Sequence, residues 1–313
     1  MHEPVLLEEA LAYLAAKEGG CYVDGTAGGG GHTAALLEAV GGSGRVLAVD
    51  RDADAVRRLR NRFGDDHRCS VIHGNFSDLQ ACIEPLGVTG VDGILLDLGV
   101  SSFQLDDGGR GFSFSQTGPL DMRMNQADET TAEDLLAEMS EEQLANVFYR
   151  YGEIRGSRRL ARAVVAARKD RGIKTTTDLA QVAERVFGRG GTRIHPATRL
   201  FQALRIAVND ELGSLERGLE RGLALLAPGG RLAVIAFHSL EDRIVKHCFR
   251  SHAGRWESLP EGGQRRVGEQ PAVTILTKKP VVPTPEEQSR NPRSRSAKLR
   301  VVERAKEEGV SCE

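Results

Sequence analysis

Up to residue 99 the chain alternates short, continuous apolar runs with stretches whose apolar positions recur three and four apart. "CYVDGT" (21–26) reads as a strand, and "HTAALLEAV" (32–40) after it as a helix. "RVLAVD" (45–50) is a second strand and "DADAVRRLRNRF" (52–63) a second helix. "CSVIHGNF" (69–76) is a third strand, "SDLQACIEPLG" (77–87) a helix, and "DGILLDLG" (92–99) a fourth strand. Strands covered on both faces are apolar throughout and alternate with helices, so the pattern predicts an α/β, doubly wound parallel sheet. Ligands of such sheets bind at the carboxyl ends of the strands, and Asp24, Asp50 and Asp97 all fall there. Further on, "APGGRLAVIAFHS" (227–239) predicts a helix end at Pro228-Gly229-Gly230 followed by another buried strand.

Between these parts the periodicity is helical only. "TAEDLLAEM", "SEEQLANVFYRYG", "SRRLARAVVAARKDRG", "TTDLAQVAERVFG" and "HPATRLFQALRIAV" follow one another. Thr131 with Asp134 and Ser140 with Gln143 have capping-box spacing, and Pro196 suits a first helical turn. The expected organisation is a sheet domain of residues 1–104 and 209–313, interrupted by an all-helical insertion, 105–208.

Charge changes the picture in one place. The net charge of −2 says nothing about partners, yet from Arg150 to Arg199 thirteen Arg and Lys stand against four Asp and Glu. Arg155, Arg158, Arg159 and Arg162 have the spacing of one helical face, with Leu160, Val164 and Ala167 roughly opposite. A basic subdomain on a nearly neutral chain is the pattern of a phosphate-backbone contact, with a solvated face as its alternative. "SRNPRSRSAKLR" (289–300) adds five basic residues and no acid, as an arm or, from Ala297, a last strand. Aromatics at 5% are too few for a broad base-stacking surface. The five scattered cysteines argue for a reducing compartment and against disulfides or a zinc site. Acids inside the first apolar stretch, at Glu8 and Glu9, argue against a signal peptide, and no apolar run reaches the roughly 18 residues of a membrane helix.

The chemistry concentrates in "YVDGTAGGGGHT" (22–33), a glycine-rich link between a strand and a helix. Such backbone admits positive φ and lets a ligand come close, and the helix N-terminus favours an anionic group. It is not a Walker A loop, because Gly31 and His32 stand where lysine and Ser/Thr must follow Gly30. Gly29-x-Gly31-x-x-Ala34 does match a dinucleotide fingerprint, and Asp50 suits a ribose in either a nicotinamide or an S-adenosylmethionine (SAM) site. Asp24 tips the balance. It gives acid-x-Thr-x-Gly-x-Gly, a variant of the acid-x-Gly-x-Gly-x-Gly loop of class I SAM-dependent methyltransferases, with Thr26 in the first glycine's place.

"DLGVSSFQLDDGGRGFSF" (97–114), "GPLDMRM" (118–124), "HPATRLFQALRIAVN" (195–209), "FHSLEDRIVK" (237–246) and "NPRSRSAKLR" (291–300) occur in this order. With them the chain resembles the RsmH family, formerly MraW, from "HEPVLLEEAL" near the start to "RVVERAK" near the end. These are bacterial methyltransferases of the exocyclic amine (N4) of a cytosine in 16S ribosomal RNA. The resemblance implies a class I methyltransferase fold with a helical insertion, SAM as methyl donor, the small ribosomal subunit or its RNA as partner, and a cytoplasmic location without membrane or metal. It places Gly30, Gly31 and His32 beside the methionine end of SAM, Asp50 on the ribose and Phe76 beside the adenine, with Asp97 and Gln104 completing the set. His32 has helix capping as its alternative role. Many amino-methyltransferases carry (Asp/Asn/Ser)-Pro-Pro-aromatic after the fourth strand, whereas this chain has Asp97-Leu98-Gly99-Val100-Ser101-Ser102. Asp97 is the first candidate for orienting the target amine, with a purely cofactor-binding role as the alternative. His238 is the second, for accepting the proton, with a structural role beside it. A nicotinamide oxidoreductase would need a Tyr-x-x-x-Lys or a His/Asp relay; Tyr149 and Tyr151 are followed four residues on by Glu153 and Arg155. A SAM-binding RNA-interaction protein without turnover is the other alternative.

Overall fold

A computed structural model describes residues 3–170, 172–188, 195–258, 264–267 and 270–306. Arg171, Arg189 and Arg193 of the basic stretch, and Cys312, lie outside them. After helix α1 (Leu7–Leu14) come β1 (Cys21–Asp24), α2 (Gly31–Ala39), β2 (Arg45–Asp50), α3 (Ala53–Phe63), β3 (Cys69–His73), α4 (Leu79–Ile83) and β4 (Val91–Asp97). Then follow α5 (Ser102–Asp106), α6 (Ala132–Glu138), α7 (Glu141–Arg150), α8 (Ser157–Asp170), α9 (Thr176–Phe187) and α10 (Pro196–Asn209). The chain continues through α11 (Glu211–Leu225), β5 (Leu226–Ala236), α12 (Ser239–His252) and the hairpin β6 (Arg255–Ser258) with β7 (Gln264–Val267). It closes with β8 (Val273–Ile275), α13 (Pro285–Arg290) and β9 (Lys298–Arg304). These elements form two compact units, Met1–Gly99 with Leu212–Glu313, and Val100–Glu211.

In the first unit seven strands run in the order β3-β2-β1-β4-β5-β9-β8. β1 to β5 pair in parallel, while β9 is antiparallel to both β5 and β8. Neighbouring residues of one strand enter different cores. Val23, Leu47, Ile94, Leu96 and Val234 pack with α4, α11 and α12. Tyr22, Val46, Ala48, Leu95 and Ile235 pack with α1, α2 and α3. Helices on both faces explain why the strands read as unbroken apolar runs. This mixed sheet, parallel except for its last strands, is the class I methyltransferase fold.

Two elements differ from the expectation, each at a proline. The run after β3 is not one helix: a 3₁₀ turn (Phe76–Asp78), the short α4 and a second 3₁₀ turn (Glu84–Leu86) share it, and Pro85 ends the regular ladder. Helix α11 stops at Leu225, ahead of Pro228, which cannot donate a ladder hydrogen bond. Pro228-Gly229-Gly230 instead form an irregularity inside β5, where the register against β4 jumps from Leu226/Val91 to Arg231/Gly93.

The second unit is helical, with Leu144, Phe148, Leu160, Val164, Leu200 and Leu204 fully buried in its core. Reciprocal capping boxes start α6 (Thr131/Asp134), α7 (Ser140/Gln143) and α9 (Thr175/Asp178), and Pro196 opens α10. "GPLDMRM" is held from inside this unit. Asn209 accepts from the Met124 amide at 2.7 Å and donates to the Met122 carbonyl at 2.7 Å. Arg123 grips Asp121 through Nε and Nη2 at 2.9 and 2.7 Å.

Candidate cofactor site

β2, β1 and β4 are neighbours in the sheet, so Asp50, Asp24 and Asp97 end adjacent strands on the same edge. Each holds part of the glycine loop or is held by it. Asp24 is 1% exposed and accepts from the Thr33 hydroxyl at 2.7 Å, which fastens the start of α2 to the end of β1. Asp50 accepts from the Gly28 amide at 2.7 Å and, on its other oxygen, from the Asp52 amide at 2.8 Å. Thr26, the departure from the glycine pattern, accepts from the Asp97 backbone amide at 2.6 Å. A glycine there could not make this cross-strand tie, so the departure has a structural use.

The glycines serve packing as well as ligand approach. Gly30 has φ +77°, and a Cβ on it would come within 2.6 Å of the Phe63 ring and 2.9 Å of Leu59. A Cβ on Gly31 would strike the Pro4 ring. Arg62 donates to the Gly29 and Gly30 carbonyls at 2.9 and 3.2 Å, which fixes the loop from its far side. Neither Arg62 nor Pro4 stands out in the sequence, because each meets the loop from a remote segment.

His32 is 6% exposed and does not cap the helix: the N-cap of α2 is Gly30. Its Nε2 lies 3.1 Å from the Val5 carbonyl. A carbonyl only accepts, so Nε2 carries the hydrogen and donates. Nδ1 then faces Asp97, 3.7 Å from Oδ2.

Asp97 is the unusual group. Its side chain is 24% exposed, while Oδ1 is buried and accepts no hydrogen bond among the described residues. Burial holds its carboxyl well above the usual carboxylate range, and the nearby Asp24 and Glu241 push the same way. Burial also raises Asp24 and Asp50, each to about 6. Among the described residues no Lys or Arg pairs with these three acids, an arrangement that favours a cationic ligand. SAM carries a sulfonium, an ammonium and a ribose diol. Asp50 keeps acceptor capacity on both oxygens for the diol, and the orphaned Asp97 oxygen suits a positive or N–H-bearing group, so the residues present fit SAM.

Between 3.8, the ordinary value, and about 6 the folded chain keeps protons on Asp24 and Asp50 that the unfolded chain has lost. Stability of the ligand-free protein is therefore expected to fall as pH rises through that window, with the full cost present above it. Urea unfolding at several pH values measures it. Stability that stays level or climbs across the window would contradict the charge burial described here.

Phe76 is half-buried in the 3₁₀ turn after β3, against Gly25 and Gly218; a Cβ on Gly218 would lie 2.5 Å from its ring. Gln104 belongs to the second unit, where its Oε1 accepts from the Ser101 amide at 2.9 Å in the capping box of α5. His238 is the N-cap of α12: Nδ1 accepts from the Glu241 amide at 3.4 Å, and Nε2 lies 3.1 Å from Glu241 Oε1. Nδ1 is the capping atom, while the buried Nε2 makes no hydrogen bond among the described residues. The four arginines do not form one helical face. Arg155 precedes α8, which starts only after Gly156, a poor helix former. Arg158, Arg159 and Arg162 lie on the helix and are exposed, with Leu160 and Val164 buried opposite. Arg159 stacks over Phe187 at 5.2 Å, and Arg162 sits 3.5 Å from Glu141. Among the described residues Glu220, Cys248 and His252 lie close enough together to offer metal ligands, and burial and Glu220 push the Cys248 thiol up to about 12.

The chain matches the MraW methylase family over residues 1–305. "Ribosomal RNA small subunit methyltransferase H" of Geobacter sulfurreducens is 51% identical over 97% of this chain and 98% of its own length. The protein of that name from Thermomicrobium roseum is 50% identical over 98% of this chain and 95% of its own. That from Paramagnetospirillum magneticum is 49% identical over 97% and 95%. These relatives support a SAM-dependent methyltransferase and give no support to a nicotinamide oxidoreductase. A sheet of class I order, three acids around a glycine loop and a match along nearly the whole length agree: the chain belongs to the MraW (RsmH) methylase family.

Proposed function

We propose that this protein methylates the N4 amine of a cytidine in 16S ribosomal RNA of the small subunit, in the cytoplasm. The reading is carried by relatives about half identical along nearly the whole chain and named for the small subunit. Asp97, with its orphaned carboxylate oxygen at the end of β4, supports it as a site for an amine. Incubation with labelled SAM and either small subunits or their naked RNA, followed by nucleoside analysis, tests it. N4-methylcytidine is the expected product. No incorporation would favour a SAM-binding protein without turnover, and label on another atom would overturn the assignment.

Bound SAM supplies the methyl group on an electrophilic sulfonium. With SAM bound, Asp50 would hold the ribose, Gly30, Gly31 and His32 would flank the methionine end, Phe76 would lie beside the adenine and Gln104 would complete the contacts. An exocyclic amine is a poor nucleophile because its lone pair is delocalised into the ring. Asp97 accepts a hydrogen bond from the amine, aligns its lone pair for in-line attack and takes the proton as the nitrogen becomes cationic. His238 keeps the start of α12 in place and is the weaker candidate for the proton.

Arg155, Arg158, Arg159 and Arg162 meet the phosphate backbone in this reading. Reversing all four charges is expected to weaken RNA binding and flatten its salt dependence, with SAM affinity unchanged. Arg155 and Arg158 should account for more of the effect, since Arg159 and Arg162 already have the partners described above. Wild-type salt slopes in the quadruple variant would return this surface to solvent.

A further inference from the structure

The basic segment before β9 acquires a use once its surroundings are considered. A cavity of about 210 Å³ opens between the carboxyl end of β5 and residues 292–298, lined by Phe237, Ser239, Val282, Arg295, Ser296 and Lys298 among others. We propose that this cavity is a subsite for a nucleotide flanking the target cytidine, with Arg295 on its phosphate and Phe237 and Val282 against its base; the proposal rests on the RNA-methylating reading above.

Size, charge and position point the same way. The volume falls below the roughly 300 Å³ at which pockets for whole small molecules begin, so it suits one base or phosphate of a longer chain. Its two cations differ. Lys298 Nζ is 3.1 Å from Asp242 Oδ2, and Arg300 occupies the other oxygen of Asp242 at 2.6 Å. Arg295 is exposed and has no acidic partner among the described residues. A guanidinium left over at the mouth of a cavity is a phosphate ligand in waiting. Val282 on the apolar wall is 55% exposed, one of few large apolar side chains so placed among the described residues. Phe237, half-buried and packed in part against the sheet core, lines the same cavity.

Phe237 also ties the cavity to the reacting end. A Cβ on Gly99 would sit 3.7 Å from the Phe237 ring, and Gly99 follows Asp97 by two residues at the edge of β4. The far wall is rigid. Residues 292–296 form a 3₁₀ turn in which Ser294 is fully buried and donates to the Asn291 carbonyl at 2.8 Å. Asn291 in turn donates to the Glu3 carbonyl at 3.2 Å. The backbone that carries Arg295 is thus fixed, and binding orders only its side chain.

The test uses the full-length chain and a single-stranded RNA fragment of the small subunit that contains the target cytidine. Arg295→Ala is expected to raise the Kd for RNA and the KM about tenfold, and to lower the salt slope by about one, with kcat at saturating RNA and the Kd for SAM unchanged. Arg295→Lys should restore most of the salt slope. Val282→Glu, at an exposed position that does not threaten folding, should weaken RNA binding by repulsion. Arg57→Ala, an exposed arginine on α3, is the control and should change nothing. Unchanged RNA affinity in Arg295→Ala, an equal loss in Arg57→Ala, or a loss confined to kcat would overturn the subsite. Wild-type protein that binds the fragment but never methylates the RNA would remove the proposed function instead, and the binding measurements would still judge the subsite.

Discussion

Asp97→Asn should lower the single-turnover rate by roughly 10²-fold or more at saturating SAM and RNA, while both affinities barely change. The substitution keeps the shape and one carbonyl acceptor and removes the charge. Its backbone amide still donates to Thr26, so the junction of β1 and β4 keeps its tie. What disappears is the ability to take a proton and to stabilise positive charge on the amine nitrogen. Relief of the burial cost of the carboxylate should leave the variant at least as stable as the parent. A purely cofactor-binding Asp97 gives the opposite pattern. SAM affinity then falls, and saturating SAM restores the rate. A fully restored rate would end the catalytic assignment and move the test to His238, whose capping geometry makes His238→Asn the informative replacement, because asparagine caps a helix without titrating.

Asp50→Ala should weaken SAM binding by about 1.5–3 kcal/mol, the range for hydrogen bonds to a charged group. Both carboxylate oxygens already carry one backbone amide each, from Gly28 and Asp52. Alanine therefore loses the diol contact and leaves the glycine loop less firmly held, so the upper part of that range is expected. Asp50→Asn separates the two effects, since its carbonyl can still accept from one of those amides. Calorimetry with SAM and with its demethylated product reads both variants. Unchanged affinity in Asp50→Ala would remove Asp50 from the cofactor site.

The local pattern of the chain determined its elements and several of its chemical groups. Continuous apolar runs gave β1 to β5, because helices on both faces leave no solvent side for polar residues. Capping boxes at Thr131, Ser140 and the start of α10 at Pro196 were legible because a cap is a contact between residues three apart. Asp24, Asp50 and Asp97 were legible as strand-end acids because each directly closes an apolar run. Tertiary structure decided what those groups touch. Thr26 holds the Asp97 amide across 71 positions of chain, and His32 meets Val5 across 27. Gly30 is bare because Phe63 and Leu59 of a later helix press on it, so its glycine serves packing that no loop motif records. Asn209 is spent inside the helical unit on Met122 and Met124. Arg155 has helical spacing and is not on the helix, since Gly156 breaks a periodicity that counting alone carries through. Spacing fixes neighbours within a turn or along a strand; which distant residue satisfies a buried donor, or fills the space a glycine leaves, is settled only when the elements pack.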